Sequence, residues 1–248
     1  MRRKLRAWIC ELLLPEDQEL VPRQVPDRFL WLRRIGIDTV LDIGAHTGRF
    51  VTTIRKILPD AWIYSFEPLE DCYRRLIEVH RDDRKFRGFN LAVGEESGTV
   101  PFHRSSFPES SSLLPMGLLH KENFPYSGAG ETVTVNMTRL DDIARELPLG
   151  NRLLLKIDVQ GAERQVLRGG MDVLRRADVI LIETNFQSLY EGQWLFKDVL
   201  DCLYAEGFRY FGNTGGHLLS PIDGSCLQED SLFVHSRLVD EKGALRRP

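Results

Sequence analysis

Cysteine is scarce and scattered in this chain. Its four residues, Cys10, Cys72, Cys202 and Cys226, form no C-x-x-C pair, so neither a zinc site nor a disulfide framework is indicated, and a reducing, cytoplasmic setting is expected. Long apolar runs are missing as well. No stretch reaches the ~18 apolar residues of a transmembrane helix. Charge of one sign is not in excess: the formal net charge is −3, and the one basic run is 2–6, so no nucleic-acid partner is expected. The dinucleotide fingerprint G-x-G-x-x-G is also absent.

What is present fits one large domain, with 248 residues and a 42% hydrophobic content. The organising stretch is 38–50. An apolar run ends at Asp42, the turn Gly44-Ala45-His46-Thr47-Gly48 follows, and Phe50, Ile54, Ile57 and Leu58 then recur at helical spacing. This is a strand, a tight turn and a helix. In an open α/β sheet a ligand binds at the carboxyl end of such a strand. Ala61–Phe66 reads as the second strand, closed by Glu67. Glu67 lies about 20 residues beyond the glycine turn, where a carboxylate takes the hydroxyl protons of a ribose. An acid before the turn and the missing third glycine favour S-adenosyl-L-methionine over NAD, with Asp42 or its bound water meeting the ammonium.

Along the rest of the chain, helical patterns alternate with strands, which gives an α/β class with a mostly parallel sheet. Phe86–Val93 reads as a third strand, and Thr99–His103 as part of a hairpin. Residues 104–130 mix Ser, Pro and Gly with apolar side chains and read as a lid or substrate wall. Thr138 is the expected N-cap of a helix. Leu153–Ile157 and Val179–Ile182 are apolar runs of buried parallel strands, ending at Asp158 and Glu183. Closing strands are expected at Phe208–Phe211 and Ser231–His235. Asp42, Glu67, Asp158 and Glu183 thus share one side of the sheet, which points to a shared site.

The N-terminus pairs the basic run with apolar residues 7–14; Glu11 and Pro15 disqualify it as a signal peptide. It reads as an amphipathic helix packed on the domain or on a second copy. The alternative is a membrane-surface helix with Trp8 at the interface. Trp8 and Trp31 are candidates for a homodimer contact.

The series Val40-Leu41-Asp42-Ile43-Gly44-Ala45-His46-Thr47-Gly48, Phe66-Glu67-Pro68, Asn90-Leu91-Ala92-Val93-Gly94, Thr138-Arg139-Leu140-Asp141 and Lys156-Ile157-Asp158-Val159-Gln160-Gly161-Ala162-Glu163 resembles the FkbM family of S-adenosylmethionine-dependent methyltransferases. Two positions depart from the family pattern: His46 replaces the more usual Asn, and Gln160 the more usual Glu. The resemblance implies a class I methyltransferase (Rossmann-like) fold: a seven-stranded, mostly parallel sheet with helices on both faces. The organisation expected is an N-terminal helical extension (1–37), the methyltransferase domain (38–238) with a lid-like insertion, and a C-terminal tail (239–248).

The resemblance also implies O-methylation of a hydroxyl on a natural product or sugar. S-adenosyl-L-methionine would be the cofactor and S-adenosyl-L-homocysteine the product. Asp42, Gly44, Ala45, His46, Thr47 and Gly48 would line the methionine end, Glu67 would hold the ribose, and Leu91 and Ala92 would lie near adenine. Asp158 is nearest the transferred methyl and is the first candidate for general base, with Glu163 and Glu183 behind it. The plainer readings are that Lys156 pairs with an acid of the sheet, that Glu163 is a first-turn helix acid, and that His46 packs on the cofactor. His120 and His217 are assigned to lid loops. Asp158, Glu183 and Asn185 have the oxygen chemistry of a magnesium site, but no metal is expected. The alternatives in function are methylation of RNA or protein, and a non-catalytic S-adenosylmethionine-binding module.

Overall fold

A computed structural model describes residues 29–241 and 243–246. The expectations for the amphipathic N-terminal helix, including Trp8, fall outside the described residues. Trp31 lies within them and packs on the chain's own Phe211, ring centroids 6.1 Å apart.

Among the described residues, ten strands form two sheets. The larger has the order β3 (Phe86–Phe89), β2 (Trp62–Phe66), β1 (Thr39–Ile43), β7 (Leu153–Ile157), β8 (Val179–Asn185), β10 (Cys226–His235), β9 (Phe208–Leu219). The first five run parallel, and β10 is antiparallel to both β8 and β9. Successive residues of the central strands enter opposite apolar layers. Leu41, Leu155 and Ile180 pack in one core with Val166, Leu174 and Leu203 of the helices Glu163–Gly169, Met171–Arg176 and Phe196–Ala205. Val40, Leu154 and Leu181 pack in the other with Val51 and Ile54 of the helix Arg49–Ile57. Burial on both faces is why these strands read as unbroken apolar runs.

After β3 the chain departs from the expected single strand over 86–93. Asn90 donates its side-chain amide to the carbonyls of Glu67 and Pro68, each at 3.0 Å, and turns the chain out of the sheet. Ala92–Gly94 (β4) then joins a second, three-stranded sheet with β5 (Gly98–Ser105) and β6 (Gly130–Arg139), in the order β4-β6-β5. Thr138 is a second correction. It remains in β6, and the helix Leu140–Ala144 starts without a side-chain cap. The capping acid is Asp141, which serves the next helix but one by accepting from the amides of Asp172 and Val173, both at 3.0 Å.

The chain lays down β1, β2 and β3 on one side and then returns to place β7 on the other. The β1–β7 boundary is therefore the topological switch point, where a crevice opens beyond the carboxyl ends of the strands. The Asp158 amide donates to the Ile43 carbonyl there at 3.0 Å.

Candidate active site

The turn after β1 is shaped by close approach. Gly44 has φ +81°, and a Cβ there would drive into the Asp158 carbonyl oxygen, so only glycine lets the β1 and β7 turns touch. Gly44 and Ala45 both donate amides to the Phe66 carbonyl at 3.0 Å, which ties the turn to β2. His46 is left-handed, with φ +49°. Asn and His are among the side chains enriched in that region, which gives a physical reason for the exchange of one for the other here. The His46 amide donates to Glu67 Oε2 at 2.9 Å, and Leu69 N donates to Glu67 Oε1 at 2.8 Å. Burial pushes the Glu67 carboxyl up to about 7, against the pull of those two amides and of Lys156.

Asp42 is deeper than expected. It is fully buried and does not line the cavity. Its carboxylate accepts from Ser65 Oγ at 3.1 Å and lies 3.2 Å from Lys156 Nζ. The ammonium it meets is thus the protein's own. The same Nζ donates to the Gly44 carbonyl at 2.8 Å and lies 3.5 Å from Asp158. Burial opposes the Lys156 charge, but Asp42 and Asp158 outweigh it and hold the ammonium above the ordinary lysine value. Thr47 and Gly48 also lie off the cavity wall.

Beyond β7, Asp158, Gln160 and Glu183 form one hydrogen-bonded group. Gln160 Nε2 donates to Asp158 Oδ1 and to Glu183 Oε2, both at 2.9 Å. Gln228 Nε2 donates to the other Glu183 oxygen at 2.7 Å. Burial raises Glu183 well above the usual carboxylate range, and the charges of Asp158, Glu163 and Asp230 push the same way.

Glu163 requires a correction. It is 2% exposed and absent from the cavity wall. Its Oε1 accepts the amides of Val159 and Gly161, each at 3.2 Å, so it clamps the loop that carries Asp158 instead of facing a substrate. Nor do Asp158, Glu183 and Asn185 converge as a cation site. The Gln160 amide stands between the first two as a donor, where a cation would require acceptors, and Asn185 is buried off the cavity. No cluster of three or more His, Cys, Asp or Glu with metal-binding geometry occurs among the described residues.

These groups surround a cavity of about 530 Å³, inside the ~300–1,000 Å³ range of small-molecule sites. Gly44, Ala45, His46, Glu67, Leu91, Ala92, Asp158 and Glu183 all line it. On its wall the acids Glu67, Glu109, Asp158, Glu183 and Asp230 outnumber the cations Lys156 and Arg49, a balance that suits a cationic ligand. The opposite wall comes from the long connection between β5 and β6, through Phe107, Ser110, His120, Phe124 and Tyr126. That connection is fastened to the loop after β8 by Gly117 N to the Leu189 carbonyl at 2.8 Å and Glu191 N to the Pro115 carbonyl at 2.9 Å. His120 belongs to this wall, on the helix Leu118–Asn123; His217 is in β9, not in a loop.

Sequence reasoning missed Gln228, Asp230 and Tyr190. Gln228 and Asp230 stand in register with Asn185 and Glu183 across the β8–β10 pair. Their alternation was the available signal, hidden because Gln228-Glu229-Asp230 is too polar to read as strand. Tyr190 follows no periodic pattern.

A seven-stranded sheet with one antiparallel strand and a cavity at its switch point defines the class I methyltransferase architecture. Residues 42–210 match the family described as the Methyltransferase FkbM domain, and the chain belongs to that family. It is a methyltransferase. Among relatives, the 2-O-methyltransferase NoeI of Sinorhizobium fredii is 29% identical over 82% of this chain and 84% of its own. The 31-O-demethyl-FK506 methyltransferase FkbM of Streptomyces tacrolimicus is 26% identical over 69% of this chain and 72% of its own. A solved structure of magnesium protoporphyrin IX methyltransferase from Synechocystis PCC 6803 shares 12% identity over 85% of this chain and 78% of its own, with a TM-score of 0.45, too distant to inform individual residues. No helix among the described residues is long and apolar enough to cross a membrane.

Proposed function

We propose that this chain uses S-adenosyl-L-methionine to methylate a hydroxyl of a small molecule. Two observations support a fit of the cofactor. The turn Gly44 to His46 presents its backbone on the cavity wall, and Glu67 keeps both carboxylate oxygens oriented by backbone amides beside it. In this reading Glu67 accepts from the ribose hydroxyls, Leu91 and Ala92 lie against adenine, and Gly44 to His46 run along the methionine end. When bound, the cofactor supplies a sulfonium methyl to a nucleophile.

The chain's own task is to orient an acceptor hydroxyl and take its proton. The observation that carries the proposal is the pair Asp158 and Glu183, both on the cavity wall and joined through Gln160. Burial raises the proton affinity of Glu183, and a carboxylate so raised is a stronger general base. NoeI and FkbM are both O-methyltransferases by name, which favours a hydroxyl acceptor on a small molecule.

Calorimetric titration with S-adenosyl-L-methionine and with S-adenosyl-L-homocysteine, each with and without EDTA, tests the reading. Both ligands are expected to bind, unaffected by EDTA. The Asp158→Asn variant is expected to keep cofactor affinity within several-fold and to lose turnover by roughly 10²–10⁴-fold, the typical share of a general base, in a screen of hydroxylated acceptors. A chain that binds neither ligand ends the proposal.

A further inference from the structure

Gln160 is the most distinctive position in the site, because the family resemblance leads one to expect a glutamate. Its side-chain amide is fully used. Both N–H donors go to carboxylates, and its Oε1 lies 3.2 Å from the Tyr190 hydroxyl. That hydroxyl also lies 3.0 Å from the Ser110 carbonyl, in the wall between β5 and β6. Tyr190 is itself held fast. It is 1% exposed, it packs edge-on against His120 at 5.2 Å, and its ring stands where a Cβ on Gly161 would be.

We propose that Gln160 is a positioning residue that bridges Asp158 and Glu183 with its two N–H donors and, through Tyr190, fixes this pair against the Ser110 wall. It deepens the methyltransferase reading and rests on it for its consequence in catalysis.

Asp158 and Glu183 repel each other, and every further carboxylate nearby raises the tendency of the pair to hold a proton. Facing Glu183 are Asp158 from the loop after β7, Glu163 from the following helix and Asp230 from β10, all acids. Lys156 on β7 opposes them, and it is shared with Asp42 on β1. Gln228 and Gln160 supply the neutral donors, and Tyr190 directs the Gln160 amide so that its nitrogen faces the acids. A glutamate at 160 would replace two donors with a further acceptor. Even after taking up a proton it would have one O–H donor and reach only one of the two acids, and its added charge would favour proton uptake by the pair. The acceptor hydroxyl would then lose its base.

The test uses the whole chain with Gln160→Glu and, separately, Tyr190→Phe. Side-chain carboxyl ¹³C resonances of Asp158 and Glu183 are followed across pH, and S-adenosyl-L-homocysteine titration serves as the check on folding. Gln160→Glu is expected to move the titration of the pair upward by about one pH unit or more, with homocysteine-product affinity within about twofold. Tyr190→Phe is expected to speed hydrogen exchange of the Gln160 side-chain amide by about tenfold or more, since its acceptor side is released. Superimposable carboxyl titrations in Gln160→Glu and parent overturn the proposal. So does unchanged amide exchange in Tyr190→Phe, which keeps the question decidable should Gln160→Glu not fold. A parent that binds no S-adenosyl-L-homocysteine would defeat the methyltransferase reading, while the two resonance measurements would still decide the role of Gln160.

Discussion

Asp42 and Glu67 are both buried acids, and their surroundings separate them. Asp42 faces Lys156 in the floor, where its charge is matched within the protein. Glu67 has two amide donors and a wall position, so a ligand can add hydrogen bonds to it. With its carboxyl pushed from 4.5 up to about 7 by burial, Glu67 binds its proton more tightly folded than unfolded. Its contribution to folding stability is therefore greatest at low pH, declines as pH rises from about 4.5, and levels off above about 7. Ligand binding has the opposite sign. In the proposed reading the ribose hydroxyls would donate to the charged carboxylate, so affinity for S-adenosyl-L-homocysteine should rise with pH through 7 and binding should release a proton. Below pH 7 the loss should approach roughly tenfold per pH unit. Calorimetry between pH 6 and 8, in buffers of different ionisation enthalpy, reads both the slope and the proton count. A flat profile with no proton released would remove Glu67 from the ribose site. The glutamate's place after β2 was legible in its spacing from the glycine turn. Its proton affinity was not, because that depends on burial by residues far away in sequence.

The loop between β7 and the helix Glu163–Gly169 owes its shape to Glu163 and not to helix propensity. One buried carboxylate oxygen satisfies two amides, those of Val159 and Gly161, on either side of left-handed Gln160, φ +57°. Replacing Glu163 by Leu leaves both amides without this partner, at a cost of about 1–3 kcal/mol for the buried Gly161 donor and less for the half-buried Val159 donor. Glu163→Gln retains an acceptor oxygen in the same place, and its stability should lie within about 1 kcal/mol of the parent. Denaturant unfolding of the two variants decides the matter. Equal losses would mean that the charge, not the acceptor, holds the loop. Elements with a strong local signal were readable in the sequence: β1, β7 and β8 from apolar runs, and the helix Arg49–Ile57 from its period. Those set by distant partners were not. Asn90 ends β3 through carbonyls that follow β2, and β10 begins five residues before the expected Ser231 because β9 pairs with it from Cys226 and β8 from Gln228.

The cavity lies between the large sheet and the small one, so neither sheet alone encloses it. Gly44, Glu67 and Asp158 come from ends of the large sheet. Ala92 opens β4 and Phe102 is in β5, both of the small sheet, and Phe107 to Tyr126 come from the β5–β6 connection. A ligand that touches all of these adds a cross-link to those made by the small core of Leu69, Cys72, Ala92, Phe102 and Val135 and by the hydrogen bonds of Gly117 and Glu191. Binding to the folded state alone stabilises it by about 2.7 kcal/mol at a hundredfold excess over Kd. For a chain of this length that corresponds to a rise in Tm of roughly 5–11 °C. Hydrogen exchange with S-adenosyl-L-homocysteine should then slow not only at 44–48, 66–69 and 158–161 but also at 90–94 and 107–113, because the ligand couples the second sheet to the first. Protection confined to the large sheet would mean that the β5–β6 connection does not close on the cofactor but serves the acceptor alone. In that case truncated acceptors, not cofactor analogues, would be the ligands to restore protection at 107–113.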